Sequence, residues 1–256
     1  MEKRKALIAA NWKMHKTLDE SVAFTEALQR ETGALEDREV VIAPPFTALI
    51  GVRHIMHQKG FKLAAQNCHW EEKGAFTGEV STGMLKDAGC DYVLIGHSER
   101  RHIFGETDEA IEKKVGAAFK NGLLPILCVG EVLEDRKAGR TIEVIGAQLE
   151  KAVKGLSRNL AEQLVIAYEP VWAIGTGLTA TPQQAQEVHA FIRDRYGSLH
   201  DKVVANAIRI VYGGSVKPDN VDALMAELDI DGMLVGGASL EVASFKRIVQ
   251  FKFMEK

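Results

Sequence analysis

The sequence predicts an α/β protein, a single-domain (β/α)8 barrel spanning residues 1–256. Three observations carry that expectation. Short β-rich apolar runs recur along the whole chain with helical patterns between them, the rhythm of βα units in a parallel sheet. Eight such units in 256 residues is the number and length of a closed barrel. Polar and glycine-rich residues also gather just after the runs, in "NWK", "PPF", "QN", "GHSERR", "GE", "EPVW", "YGGS" and "GGAS". In a barrel all these ends meet around one mouth. In an open doubly wound sheet, the structural rival, they do not.

Strands are expected at Ala6 to Asn11, Val40 to Ala43, Lys62 to Gln66, Tyr92 to Gly96, Leu124 to Val129, Val165 to Tyr168, Arg209 to Tyr212 and Gly232 to Val235. Between them lie helical patterns such as "SVAFTEALQRE", "TDEAIEKKVGAAFKNG" and "TPQQAQEVHAFIRDRYG". Asn121-Gly122 and Gly197 are expected to end two of them. Thr181-Pro182-x-Gln184 opens one, with a cap, a first-turn proline and a capping-box partner. No linker, low-complexity tract or composition break divides the chain.

Composition narrows the function classes. Apolar residues make up 46% and charged residues 26%, which is ordinary for a globular protein. A formal charge of −3 gives no whole-molecule attraction to nucleic acid or to anionic lipid, so neither is an expected partner. The basic start "MEKRK" is followed by only five apolar residues, Ala6 to Ala10, too few for a signal peptide, and no segment reaches membrane-spanning length. Cys68, Cys90 and Cys128 lie far apart without metal-ligand spacing. They read as reduced thiols of a cytoplasmic protein.

The strand ends carry the chemistry. Gly213-Gly214-Ser215 and Gly236-Gly237-Ala238-Ser239 follow adjacent strands, and glycines let backbone N–H groups approach an anion closely. Together they suggest a phosphate cradle; a pair of tight βα turns is the alternative. Lys13, in "AANWKMH", places a cation at the mouth, with Asn11 beside it to orient the ammonium; a solvated loop lysine is the alternative. His97 follows Gly96, and a helical turn begins at Ser98. A helix N-terminus disfavours a positive imidazole, which would keep His97 neutral and able to donate a hydrogen bond. Glu169 ends a buried strand beside an apolar segment whose closure would remove water and raise its basicity. Strand-end histidines and carboxylates are also common structural features.

Pro170 stiffens the start of that segment, Val171, Trp172 and Ile174 are apolar where a loop does not require it, and Gly175 and Gly177 permit unusual dihedrals. The composition is that of a lid from Pro170 to Ala180 with an apolar underside. "GTGLTA", Gly175 to Ala180, fits the Gly-x-Gly-x-x-Gly/Ala pattern of dinucleotide-binding turns. Its first glycine comes too late, because Glu169 to Ile174 separate it from the strand, and the helix signal Thr181-Pro182 follows the motif instead of lying within it.

In this order, "AANWKM", "IGHSERR", "AYEPVWAIGTG", "YGGSV" and "VGGASL" resemble the motifs of the triosephosphate isomerase family, and the likeness runs from residue 6 to about 250. The resemblance implies a TIM barrel that interconverts dihydroxyacetone phosphate and D-glyceraldehyde 3-phosphate in glycolysis and gluconeogenesis, without cofactor or metal. It implies Glu169 as the proton-shuttling base, His97 as the neutral electrophile, and Lys13 as the cation that binds substrate and stabilises the enediolate. Asn11 would support the oxygen side, and Gly175, Ser215, Gly236 and Gly237 would hold the phosphate. Exposed Trp70 and Phe76 in loop 67–79 point to an interface. The family implies a homodimer through that loop, with Thr77 reaching the partner's site near Asn11. Other phosphate-binding barrel lyases would not be expected to combine Lys13, His97 and Glu169. A catalytically silent phosphate-binding barrel would be expected to have lost one of the three.

Overall fold

Each strand of this protein is apolar on both faces, and only a sheet covered on both sides can bury such strands. The structure, a computed structural model, describes residues 4–175 and 178–252. Among these residues eight parallel strands pair in sequence order, and the last pairs with the first, so the sheet closes into a barrel. They are β1 (Ala6–Asn11), β2 (Arg38–Ala43), β3 (Phe61–Ala65), β4 (Tyr92–Ile95), β5 (Leu124–Val129), β6 (Val165–Tyr168), β7 (Arg209–Tyr212) and β8 (Gly232–Val235). The open-sheet rival is excluded.

Period-two alternation divides each strand between two cores. Leu7 and Ala9, Tyr92 and Leu94, Ile126 and Cys128, and Val165 and Ala167 fill the barrel interior. Ala6, Ile8, Ala10, Val93, Ile95, Leu127 and Ile166 face the surrounding helices, where Phe24, Leu28, Val115, Ile145, Ile192 and Phe245 meet them. The same parity holds at the strand ends: Glu169, one residue past β6, follows Val165 and Ala167 inward, and Asn11, the last residue of β1, follows Leu7 and Ala9. The three cysteines are free and buried. Burial pushes the Cys68 and Cys90 thiols up to about 12.

Several element ends differ from the sequence expectation. β2 begins two residues earlier, because Ala6 pairs with Arg38. β3 is shifted by one and stops before Gln66, whose side-chain amide turns away to donate to Ala43 and Lys13 carbonyls. β4 stops before Gly96, which takes φ 73° and breaks the extended run. Gly197 does not end its helix, which runs Pro182–Leu199. A Cβ at Gly197 would lie 3.3 Å from the Ala205 Cβ, so this glycine serves the close approach of helix Lys202–Ala207. The capping box at Thr181 and Gln184 forms as expected, with 3.0 and 3.1 Å hydrogen bonds.

The closing seam has its own requirement. Gly232 opens β8 at φ 155°, and a Cβ there would stand 1.9 Å from the Leu7 carbonyl oxygen of β1. Backbone blocks it, so no rotamer change relieves the clash. Gly232→Ala is therefore expected to destabilise the fold by about 3 kcal/mol through overpacking and backbone strain. Urea denaturation at fixed protein concentration measures this, and a midpoint equal to the parent's would contradict the seam argument.

Candidate active site

The C-terminal strand ends enclose a cavity of about 320 Å³ whose walls include Asn11, Lys13, His97, Glu169, Gly175, Ser215, Gly236 and Gly237. Every site residue expected from the sequence thus lines one cavity, although Glu169 and Ser98, its hydrogen-bond partner, are 71 positions apart.

Glu169 is placed by inward parity and by its backbone N–H, which donates to Val129 at 2.8 Å. It is 2% exposed. Its Oε2 accepts the Ser98 backbone N–H at 2.8 Å, and its Oε1 lies 3.1 Å from His97 Nε2. Glycine is needed around it: a Cβ on Gly130 would meet the Glu169 carbonyl oxygen at 1.8 Å, and one on Gly213 would meet Glu169 Cγ at 2.9 Å. Cys128 lies beside it in the barrel interior. Burial first, then the Glu169 carboxylate, push the Cys128 thiol well above its ordinary value.

His97 has the parity of the outward residues Val93 and Ile95, so a continued strand would turn it away from the cavity. Gly96 at φ 73° redirects the chain, and Arg101 clamps the bend by donating to the Gly96 carbonyl at 2.8 Å and the Cys128 carbonyl at 3.2 Å. His97 caps helix Ser98–His102, and its Nδ1 accepts the Glu99 N–H at 3.2 Å. An acceptor at Nδ1 puts the ring proton on Nε2, which faces Glu169. The helix start predicted at Ser98 therefore acts through a specific bond and sets the tautomer.

Lys13 adopts φ 53°, a left-handed conformation that costs a non-glycine residue about 1–2 kcal/mol. Two hydrogen bonds hold it there: Asn11 Oδ1 accepts the Lys13 N–H at 3.1 Å, and Gln66 donates to the Lys13 carbonyl at 2.8 Å. The expectation that Asn11 orients the ammonium is corrected. Asn11 organises the backbone, and the ammonium is held by Glu99 at 2.6 Å. Glu99 and Gln66 were missed as site residues. The partner of Lys13 lies 86 positions away, and the only local signal for Glu99 is a carboxylate in the first turn of a helix.

The backbone N–H groups of Ser215, Gly236 and Gly237 donate to no acceptor among the described residues. They share the cavity wall with Lys13 and Lys217. Unsatisfied N–H groups from two glycine turns next to cations form an anion cradle.

Beyond Glu169 the chain enters a 3-10 turn, Val171–Ala173, and reaches Gly175, exposed at φ 69°. Thr176 and Gly177 lie outside the described residues. Trp172 is not an apolar residue without a local reason: its indole N–H donates to Glu131 Oε1 at 2.9 Å, where the Tyr168 hydroxyl also donates at 3.2 Å. Glu131 is fully buried and ties Trp172 to the loop after β5. It too was missed, being recorded only as the Glu of a polar "GE". The nucleotide-loop pattern fails on geometry, because the helix begins at Pro182, after the motif.

Residues 6–252 match the triosephosphate isomerase family. The chain is similar to the triosephosphate isomerase of Pelobacter propionicus, with 53% identity over 249 residues covering 97% of this chain and 99% of that protein. It is also similar to those of Herpetosiphon aurantiacus, at 54% over 97% of this chain and 100% of the relative, and Moorella thermoacetica, at 54% over 97% and 99%. Likeness that runs through both proteins almost end to end cannot come from one shared segment, and the chain belongs to the triosephosphate isomerase family.

Proposed function

We propose that Glu169, His97 and Lys13 carry out in this chain the reaction of its family, the interconversion of dihydroxyacetone phosphate and D-glyceraldehyde 3-phosphate in glycolysis and gluconeogenesis. The whole chain, 1–256, acts as one catalytic domain in the cytoplasm. The observation that carries the assignment of roles is the contact of Glu169 and His97, two buried groups 3.1 Å apart in one cavity with an anion cradle.

The phosphate of the triose binds the N–H groups of Ser215, Gly236 and Gly237, with Gly175 added as the lid closes. The carbonyl oxygen takes the His97 Nε2 proton as a hydrogen bond, replacing Glu169 as its acceptor. This family is the standing example of a neutral imidazole used as an electrophile. Glu169, released from Ser98 and His97, removes a proton from the carbon beside the carbonyl. It returns that proton to the neighbouring carbon while a proton passes from one enediol oxygen to the other by way of His97 Nε2, so no net proton is consumed. Lys13 faces the charge that develops on the enediolate oxygens, and Asn11 acts by holding Lys13 in its strained conformation. The lid keeps water from the intermediate, whose decomposition would expel phosphate.

Homodimerisation through loop 67–79 extends the reading. Trp70 and Phe76 sandwich the His69 ring, at centroid distances of 4.2 and 4.4 Å, so the loop projects as a stiff unit with Thr77 exposed. Met14, Ile103 and Phe104 are also exposed, at 94%, 72% and 68%, and Met14 and Phe104 share a groove with Asn67 of the loop. A groove of about 400 Å³ lined by Met14, Phe46, Asn67, Arg100 and Phe104 also touches Asn11 and Lys13. A partner's Thr77 in that groove would buttress Lys13 from outside the catalytic cavity.

Three measurements test these roles. Glu169→Gln is expected to lower kcat by about 10²–10⁴-fold with an unchanged thermal midpoint, and near-parental turnover in the folded variant would remove Glu169 as the base. Gly175→Pro cannot keep φ 69°, so isomerase turnover should fall and the share of turnovers ending in phosphate elimination should rise. If both stay unchanged, the lid assignment is lost. Sedimentation at micromolar concentration should give twice 28.1 kDa; a monomer would contradict the interface. Absence of both turnover and phosphoglycolate inhibition would favour the silent barrel.

A further inference from the structure

We infer that Lys217 is a substrate-recruiting residue of this barrel, the cation that draws the phosphate dianion into the cradle and holds it beside Ser215. The inference rests on the triose phosphate reading above and assigns a further residue to that site.

The electrostatic need comes first. The chain carries a formal charge of −3, so its overall field opposes a dianionic substrate, and capture depends on local cations at the mouth. Two lysines line the cavity, Lys13 and Lys217. The Lys13 ammonium already lies 2.6 Å from the Glu99 carboxylate, which cancels most of its field at a distance. The Glu169 carboxylate in the same cavity adds a negative charge. Lys217 is exposed, and its ammonium has no carboxylate or carbonyl partner among the described residues. Of the two lysines, it is the one whose charge remains uncompensated before substrate arrives.

The loop that carries Lys217 is built, not slack. Asn220 Oδ1 accepts the Lys217 N–H at 2.8 Å, and Asn220 Nδ2 donates to the Ser215 carbonyl at 3.0 Å. One side-chain amide thus spans the turn and fixes Lys217 two residues after Ser215, whose N–H belongs to the cradle. The clip uses only the backbone of Lys217, so replacing its side chain leaves the turn intact. The Lys217 charge can therefore be removed without disturbing the N–H groups that hold phosphate.

A residue that recruits by charge and one that shapes the loop respond differently to salt, since exposed charges are screened over about 8–10 Å near 0.1 M ionic strength. Lys217→Gln and Lys217→Arg are compared with the parent, using D-glyceraldehyde 3-phosphate at low and high ionic strength and phosphate-free D-glyceraldehyde as control. Lys217→Gln should lower kcat/KM for the phosphorylated substrate by about 10-fold near 10 mM ionic strength and by less than about twofold near 0.5 M. Its loss in kcat should be smaller than its loss in kcat/KM, the phosphoglycolate inhibition constant should rise in the same salt-dependent way, and Lys217→Arg should retain parental values. Rates with D-glyceraldehyde should match the parent's. An equal ratio at both ionic strengths, no loss at all, or a matching loss with D-glyceraldehyde would overturn the inference. Failure of the parent to isomerise the triose phosphate would instead overturn the reading on which it rests.

Discussion

Closure of the strand ring at the β1–β8 seam is the constraint on which the rest of the structure depends. A parallel sheet with both faces apolar is stable only when covered inside and out, and an open edge would leave a row of unpaired backbone groups. Closing the ring satisfies both demands, and it also turns eight unrelated loops into one rim. Asn11 and Gly236 become neighbours across the seam because Ala10 pairs with Val235. Lys13 meets the second glycine turn there, its Cε within ordinary contact distance of a Cβ built at Gly236. The absence of a side chain at Gly232 lets β8 approach β1, so a glycine at the N-terminal end of the barrel controls whether a site exists at the other end.

In the site that results, the side chains of Glu169, His97 and Lys13 are paired with protein groups, while the N–H groups of the cradle have no partner among the described residues. Glu169 Oε2 accepts the Ser98 N–H, Oε1 lies 3.1 Å from His97 Nε2, Lys13 has Glu99, and His97 Nδ1 accepts the Glu99 N–H. Burying Glu169 and His97 unpaired would cost several kcal/mol each, so their pairing is what makes their burial tolerable. The same pairing sets the terms of binding. A ligand must replace each contact it breaks, and a triose phosphate has a carbonyl oxygen to offer His97 and phosphate oxygens for the N–H groups of the cradle. A ligand with the phosphate alone would leave Glu169 on Ser98 and His97, in a position where it is no free base. Selectivity for the whole substrate thus comes from the energetics of displacement as much as from shape.

The strands, the mouth and the gathering of Lys13, His97 and Glu169 at that mouth were legible in the sequence because each has a local signature: an apolar run, a polar residue just after it, a glycine nearby. Glu169 and Asn11 could be placed inward by parity alone. His97 could not, since parity sends it outward; only the left-handed Gly96 and the Arg101 clamp bring it in. Glu99, Gln66 and Glu131 were not legible as site residues, and the reason is the same for all three. Each acts through a partner brought near by barrel closure, and no periodicity records a contact between Lys13 and Glu99 or between Trp172 and Glu131. Gly197 shows the opposite error, a glycine read as a stop signal that instead lets two helices pack closely. The sequence displays what a residue is and its parity, while its partner is a property of the closed ring.

The continuity of base and lid follows from these contacts. Val171 donates its N–H to the Glu131 carbonyl at 3.1 Å, and Trp172 donates its indole N–H to the Glu131 carboxylate. Two residues earlier, Glu169 donates its backbone N–H to Val129. The segment from Glu169 to Trp172 is thus tied to the end of β5 and the loop after it at three points, Glu169, Val171 and Trp172. On the proposed roles, a lid that swings about this segment would disturb the Glu131 contacts of Val171 and Trp172, two and three residues after Glu169. Closure and the release of Glu169 from Ser98 would then be coupled through this short stretch of chain, with phosphate contacts at the cradle supplying the energy. On this proposal, binding at the part of the substrate that does not react would drive Glu169 into position at the part that does.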